Sequence, residues 1–229
     1  MTRPLHELHD SRRLRGLLFD IDETLTTEGR LTAEAYTAME RLKRAGKLLV
    51  PITGRPAGWC DHIARMWPVD AVIGENGAFY FHFEHGKLHR KFHDSDQVRA
   101  LNRGRLAAIG ARILGEVPGC ALASDQPYRE TDLAIDYRED VPPLPLDCAE
   151  RIAELMRAEG LTSKISSIHV NGWFGAYDKL AMAKQLFAEV FNCDSRMRRP
   201  ISSSRERLAA RVRSSSRKRF SSRPREKQK

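Results

Sequence analysis

Three short apolar segments, Leu17-Leu18-Phe19, Lys47–Ile52 and Asp70–Ile73, alternate with two stretches whose apolar residues recur at helical spacing. Each segment is too short for a helix and reads as a buried strand. After the first, Thr32 has the chemistry of an N-cap. Ala35, Tyr36, Met39 and Leu42 then share one helical face, and Gly46 stops the pattern, which predicts a helix over 33–45. Pro56 suits the first turn of a second helix ending near Met66. Strand, helix, strand, helix, strand with short connections predicts an α/β fold, a Rossmann-like parallel sheet with helices on its faces and right-handed crossovers.

From about Phe79 the pattern changes. Phe79–Phe83 and Lys87–Phe92 flank Glu84-His-Gly86 and read as a β-hairpin. A helix over roughly 94–114 follows, then short strands near 121–123 and 133–137. Pro142, Pro143 and Pro145 precede a helix over about 146–159, and Lys164–Val170 reads as one more strand. Two helices among meandering strands predict an inserted α+β unit. The chain returns at Asn171–Asp178, and Lys179 opens a helix with Leu180, Ala183, Leu186, Phe187 and Val190 on one face. The expected division is a core over 1–81, an α+β cap over 82–169, a return to the core over 170–195, and a tail over 196–229.

Charge changes this picture only at the tail. The formal net charge is +9, but the last 34 residues hold 14 Lys and Arg against 2 Glu, so the remainder is slightly acidic. A nucleic-acid-binding domain is therefore not indicated by the overall balance, and nucleic acid is expected only through the tail. That tail has arginines and serine runs without period and Phe220 as its one aromatic residue. It is expected to be disordered, since it cannot bury enough apolar surface to offset its ordering entropy. No apolar run is long enough to span a membrane, and the polar first 15 residues lack the apolar stretch of a secretory signal, so a cytoplasmic location is expected. Cys60, Cys120, Cys148 and Cys193 show neither metal nor disulfide-framework spacing and read as reduced thiols.

The candidate chemistry gathers where the three strands end. The first ends in Asp20 and Asp22, whose i, i+2 spacing in an extended segment puts both carboxylates on one side. Two such groups repel, so a cation belongs beside them, and Mg²⁺ with phosphate oxygens satisfies that. The second strand ends at Thr53-Gly54-Arg55 and the third at Gly74-Glu-Asn76-Gly77. Ligands of parallel sheets bind beyond the carboxyl ends of the strands. Paired acids, a hydroxyl and exposed backbone amides at three successive ends point to a phosphate-type ligand. Lys179, in a first helical turn where the dipole does not favour a cation, reads either as a solvated lysine or as an ammonium aimed at that ligand.

Phe19-Asp-Ile-Asp-Glu-Thr-Leu25, followed in order by Thr53 and Lys179, resembles three of the four signatures of the haloacid dehalogenase-like (HAD) hydrolases. The insertion after the third strand resembles their type IIB, or Cof-type, members, relatives of sucrose-phosphate phosphatase. The resemblance implies a Mg²⁺-dependent phosphatase acting on a small phosphate ester, a sugar phosphate by analogy, through an aspartyl-phosphate. It makes Asp20 the nucleophile, Asp22 the general acid and base, and both metal ligands. Thr24 supports the loop, Thr53 binds phosphate with Gly54, Arg55, Asn76 and Asn171 around it, and Lys179 neutralises the intermediate. In the cap, Lys91, Asp125, Arg129 and His169 read as exposed candidates for substrate contact.

The fourth signature, a buried strand ending in Gly-Asp-x-x-x-Asp, has no counterpart. Cys193-Asp194-Ser195 is a faint echo with no apolar strand before it and no second acid after it. The compositional shift at this point fits an altered reading frame. In the family the missing strand lies beside the first, so its loss leaves Leu17–Phe19 as an exposed apolar edge, and weak or absent phosphatase activity is expected. The alternative function is a catalytically inactive fold whose basic tail binds RNA or another polyanion.

Overall fold

The computed structural model describes residues 14–192. The faint fourth signature at Asp194 and the tail over 196–229 lie outside the described residues. The chain divides into two compact units between Met182 and Ala183. The first holds every element up to the opening of the last helix. Among the described residues, the second holds the rest of that helix.

Strand β1 (Gly16–Phe19) pairs in parallel with β2 (Leu48–Pro51), in a register running from Gly16 opposite Leu48 to Phe19 opposite Pro51. Helix α1 (Ala33–Arg44) joins them, and Thr32 caps it by accepting the Ala35 N–H at 3.2 Å. Helix α2 (Ala57–Met66) leads to β3 (Val72–Gly74). The third strand meets the second through one parallel bridge, Ile52 to Ile73, with the Thr53 N–H donating to the Ile73 carbonyl at 2.9 Å. The expected parallel α/β core is present, and the ends of its three strands lie side by side.

Strand β4 (Phe79–Glu84) folds back antiparallel on β3, and β5 (Lys87–Phe92) pairs with β4. The boundary expected at 81/82 therefore falls inside β4. Alternation explains why the hairpin stays with the core: Phe79 and Phe81 share one face, their rings 4.4 Å apart, and pack with Cys60, Ile63 and Ala64 of α2.

A second, antiparallel sheet has the order β6 (Ala121–Leu122), β7 (Asp132–Asp136), β9 (His169–Trp173), β8 (Thr162–Ile165). Helices α3 (Asp96–Glu116) and α4 (Leu146–Ala158) contribute Ile109, Ile113, Ile152 and Met156 to its core, opposite Leu133, Ile135 and Val170. Two expectations are corrected here. The single strand expected over 164–170 is two strands joined by a tight turn. Ser166 makes the turn: its N–H donates to the His169 carbonyl at 2.8 Å, and its hydroxyl accepts the His169 N–H at 3.0 Å. A serine hydroxyl competes with ladder bonding in this way. The return to the core expected at 170 also comes later, because β9 runs through Trp173 as an interior strand of this sheet.

Helix α5 (Lys179–Glu189) starts where Asp178 accepts the Ala181 N–H at 2.7 Å. Leu180, expected on its apolar face, is exposed, and Met182 is buried instead. Among the described residues no helix is long and apolar enough to cross a membrane.

Candidate functional site

The loop after β1 closes on itself through Thr26, whose hydroxyl donates to the Ile21 carbonyl at 3.1 Å and accepts the Glu23 N–H at 3.2 Å. Thr24, expected to support this loop, is exposed. Ile21 is buried between the two acids and anchors the segment. Asp20 and Asp22 consequently open into one cleft of about 290 Å³.

Lys179 reaches Asp20 across 159 residues of sequence. Its Nζ donates to Asp20 Oδ2 at 2.8 Å and to the Ile52 carbonyl at 3.4 Å. Gly77 sets that reach. Its φ is +108°, and a Cβ there would come within 2.3 Å of the Asp178 backbone, so the start of α5 sits directly on the loop after β3. The expectation that the strand ends and Lys179 surround one pocket is met for Asp20, Asp22, Gly54, Arg55, Asn76 and Lys179, all of which line the cleft.

Arg55 has a different place from the one expected. Its guanidinium forks onto Asp22, with Nε and Nη2 at 3.0 and 2.8 Å from Oδ1, lies 3.5 Å from Glu139, and covers the Trp59 ring at 4.5 Å. Burial opposes its charge, but Asp22 and Glu139 outweigh burial and raise its pKa. Arg55 is thus committed to a protein carboxylate rather than free for a phosphate. Thr53 is fully buried and does not line the cleft; its hydroxyl accepts the Arg55 N–H at 3.0 Å and shapes the loop. Asn171 does line the cleft, but from the second sheet, with its Nδ2 donating to Asp132 Oδ2 at 3.0 Å.

The exposed cap candidates are mostly not exposed. Arg129 is buried, forks onto Asp125 and Asp132, and donates to the Gly54 carbonyl at 3.1 Å. Burial opposes its charge, and Asp132, Asp125 and Glu75 more than compensate. His169 is buried with Nε2 2.8 Å from Glu139, and burial lowers its pKa. Lys91 is exposed on β5, away from the cleft.

Sequence reasoning missed two further groups. Glu75 is fully buried and accepts the Ala57, Glu130 and Thr131 N–H groups at 2.9, 2.9 and 2.7 Å and the Thr131 hydroxyl, so it ties the loop after β3 to the second sheet. Burial, reinforced by Asp132, raises its pKa to about 7. Glu139 is held by Asp136, which accepts the Arg138, Glu139 and Asp140 N–H groups at 2.8 Å each. An acid in Glu-Asn-Gly or in a run of charges carries no periodic signal that separates a buried anchor from a surface residue.

Magnesium was expected at Asp20 and Asp22. Among the described residues, no group of three or more His, Cys, Asp or Glu is placed to hold a metal ion. Both carboxylates are already bonded to cations. The described residues therefore do not by themselves fit the ion.

Residues 17–102 match the family model of the haloacid dehalogenase-like hydrolases. Over that segment the chain is similar to the haloacid dehalogenase-like hydrolases. The match holds both acids, Thr53 and Arg55 and ends inside α3, short of Lys179. Three solved structures share the fold. A Thermoplasma acidophilum protein aligns at TM-score 0.60 and 15% identity, covering 76% of this chain and 71% of that one. A haloacid dehalogenase-like hydrolase from Bacteroides thetaiotaomicron aligns at 0.53 and 13%, covering 77% of each. The sucrose-phosphatase of Synechocystis, solved with sucrose and phosphate, aligns at 0.52 and 17%, covering 77% and 71%. No curated protein matches the chain by sequence.

Proposed function

We propose that this protein is a hydrolase of the haloacid dehalogenase-like type, a phosphatase that cleaves small phosphate monoesters through Asp20. The observation that carries the reading is the 2.8 Å bond from Lys179 Nζ to Asp20 Oδ2. An ammonium joined to the end of β1 by a loop and a helix start from the far end of the chain is what a nucleophilic carboxylate needs when it takes on the charge of a phosphoryl group.

In the proposed reaction an Asp20 oxygen attacks phosphorus, the bond to the alcohol oxygen breaks, and Lys179 stays beside the acyl phosphate. Asp22 hands a proton to the leaving alcohol and later takes one from the attacking water. To do so it must first leave the fork of Arg55, so Arg55 times the acid by holding and releasing it. Gly54 and Asn76 border the phosphoryl position. The second sheet, as a cap over 93–173, excludes water and reads the alcohol. Such an insertion is the type IIB arrangement, and a sugar phosphate is the substrate it suggests by analogy. Magnesium supplies charge neutralisation in this family; no step here is routed through it.

Phosphate release from p-nitrophenyl phosphate and from a panel of sugar phosphates, with Asp20→Asn as control, tests the proposal. Release that Asp20→Asn abolishes is expected. Release that survives the substitution, or none from any ester with Mg²⁺ supplied, would overturn it.

A further inference from the structure

Three of the cations lining the cleft are paired with carboxylates, and two charged residues that also line it, Lys164 and Glu23, have no ion pair among the described residues. Lys179 is bonded to Asp20, Arg55 to Asp22, and Arg129 to Asp125 and Asp132. Lys164 also lines the cleft, and among the described residues it has no hydrogen bond or ion pair. Its direction follows from strand alternation. Ser163 and Ile165 face α4 and the second core, where Ser163 Oγ donates to the Ala153 carbonyl at 3.3 Å. Lys164 therefore stands on the opposite face, paired in register with Asn171, which lines the same cleft.

A lone ammonium in this position is not neutral to its surroundings. Lys164 is exposed at the cleft; partial desolvation lowers its pKa first and the charge of Lys179 lowers it further, against a smaller opposing pull from Asp20. An anion from outside the protein would relieve both. The phosphoryl group, placed at Asp20 and Lys179, lies at the core side of the cleft, whereas Lys164 comes from the second sheet, as do Ser166 and Ser167 of the turn after β8, which line the same cleft. At about 290 Å³ the space is at the small end for ligand sites and suits a short molecule better than a disaccharide.

Resting on the phosphatase reading above, we infer that the substrate is a short phosphate monoester whose alcohol part carries a carboxylate, and that Lys164 is the specificity residue that binds this second anion. The ammonium donates to a carboxylate oxygen, a charge-assisted bond.

The test compares 3-phosphoglycerate with glycerol 3-phosphate, which differ chiefly in carboxylate against hydroxymethyl. Binding is measured by calorimetry on the full chain with Asp20→Asn, and kcat/KM on the unmodified chain. A preference for 3-phosphoglycerate of about tenfold or more is expected in both. Lys164→Met should bring the ratio to about one by weakening 3-phosphoglycerate alone. Lys164→Arg should keep the preference. Equal binding of the two esters by the Asp20→Asn chain would overturn the inference. So would an equal loss for both with Lys164→Met, which would put Lys164 on the phosphoryl group. A binding preference without turnover would leave the assignment of Lys164 standing and overturn the catalytic reading alone.

Discussion

Asp20 and Lys179 are each partly open to solvent, so their pairing is worth little to folding and matters for chemistry. Lys179→Met is expected to lower kcat by about 10²–10³-fold, the scale of losing one charge-stabilising donor, with the urea midpoint unchanged. Steady-state kinetics beside an unfolding curve checks both halves. Glu75 is the opposite case, buried and structural. Its folded pKa of about 7 lies above its ordinary value of 4.5. The folded state therefore holds a proton that the unfolded chain has lost. The stability this provides is complete below about pH 4.5 and is lost as pH rises through about 7. Urea midpoints should fall between pH 5 and pH 7.5, and Glu75→Gln should flatten that slope. An equal slope in the variant would place the titration elsewhere. The acids after β1 were legible in the sequence because a strand end and an i, i+2 spacing are local. The partners of those acids were not. Arg55 is 33 residues from Asp22, and its loop signals an anion site equally well whether the anion is a ligand or a side chain.

Gly77 couples two elements, the turn after β3 and the first turn of α5. Gly77→Ala forces a Cβ into the Asp178 backbone at a φ that L-residues avoid. A loss of more than about 2 kcal/mol in unfolding free energy is expected. Activity should fall further than stability, because Lys179 moves with α5. Chemical denaturation together with kcat measurement would show it. Elements with strong local signals were readable: α1 from its Thr32 cap, α4 from the prolines before it, and the hairpin from its turn. The break between β8 and β9 was not, since Lys164–Val170 has no Gly or Pro and Ser166 alone turns the chain. Missing that turn hid both the hairpin over the cleft and the orientation of Lys164, which depends on strand register.

Across the larger unit, two apolar cores hold the two sheets, and buried ionic groups join them. Arg129, Asp125, Asp132 and Glu75 form that junction, with Arg129 donating to a carbonyl of the first sheet's loop. The hydrophobic pattern pointed to two layers, but the boundaries expected from it fall inside β4 and β9, because the hairpin and β9 each serve a sheet that the local pattern does not reveal. At the other side, β1 pairs with β2 alone among the described residues, and Leu18 is 44% exposed on it. The open apolar edge expected from the sequence is present there. Leu18→Lys should leave the unfolding free energy within about 0.5 kcal/mol while reducing light scattering on heating at high protein concentration. Unchanged scattering would mean that this strand is not where chains associate.

Arg129 and Glu75 together pin the second sheet to the loops of the first. With Arg129 riveted to the Gly54 carbonyl and Glu75 gripping the next two amides, any tilting of the upper sheet swings least at 129–131 and more at the Ser166–Ile168 tip. Traffic into the cleft would then run beneath that tip. A bulkier side chain there would throttle the passage of reactant and product without touching a single reacting atom.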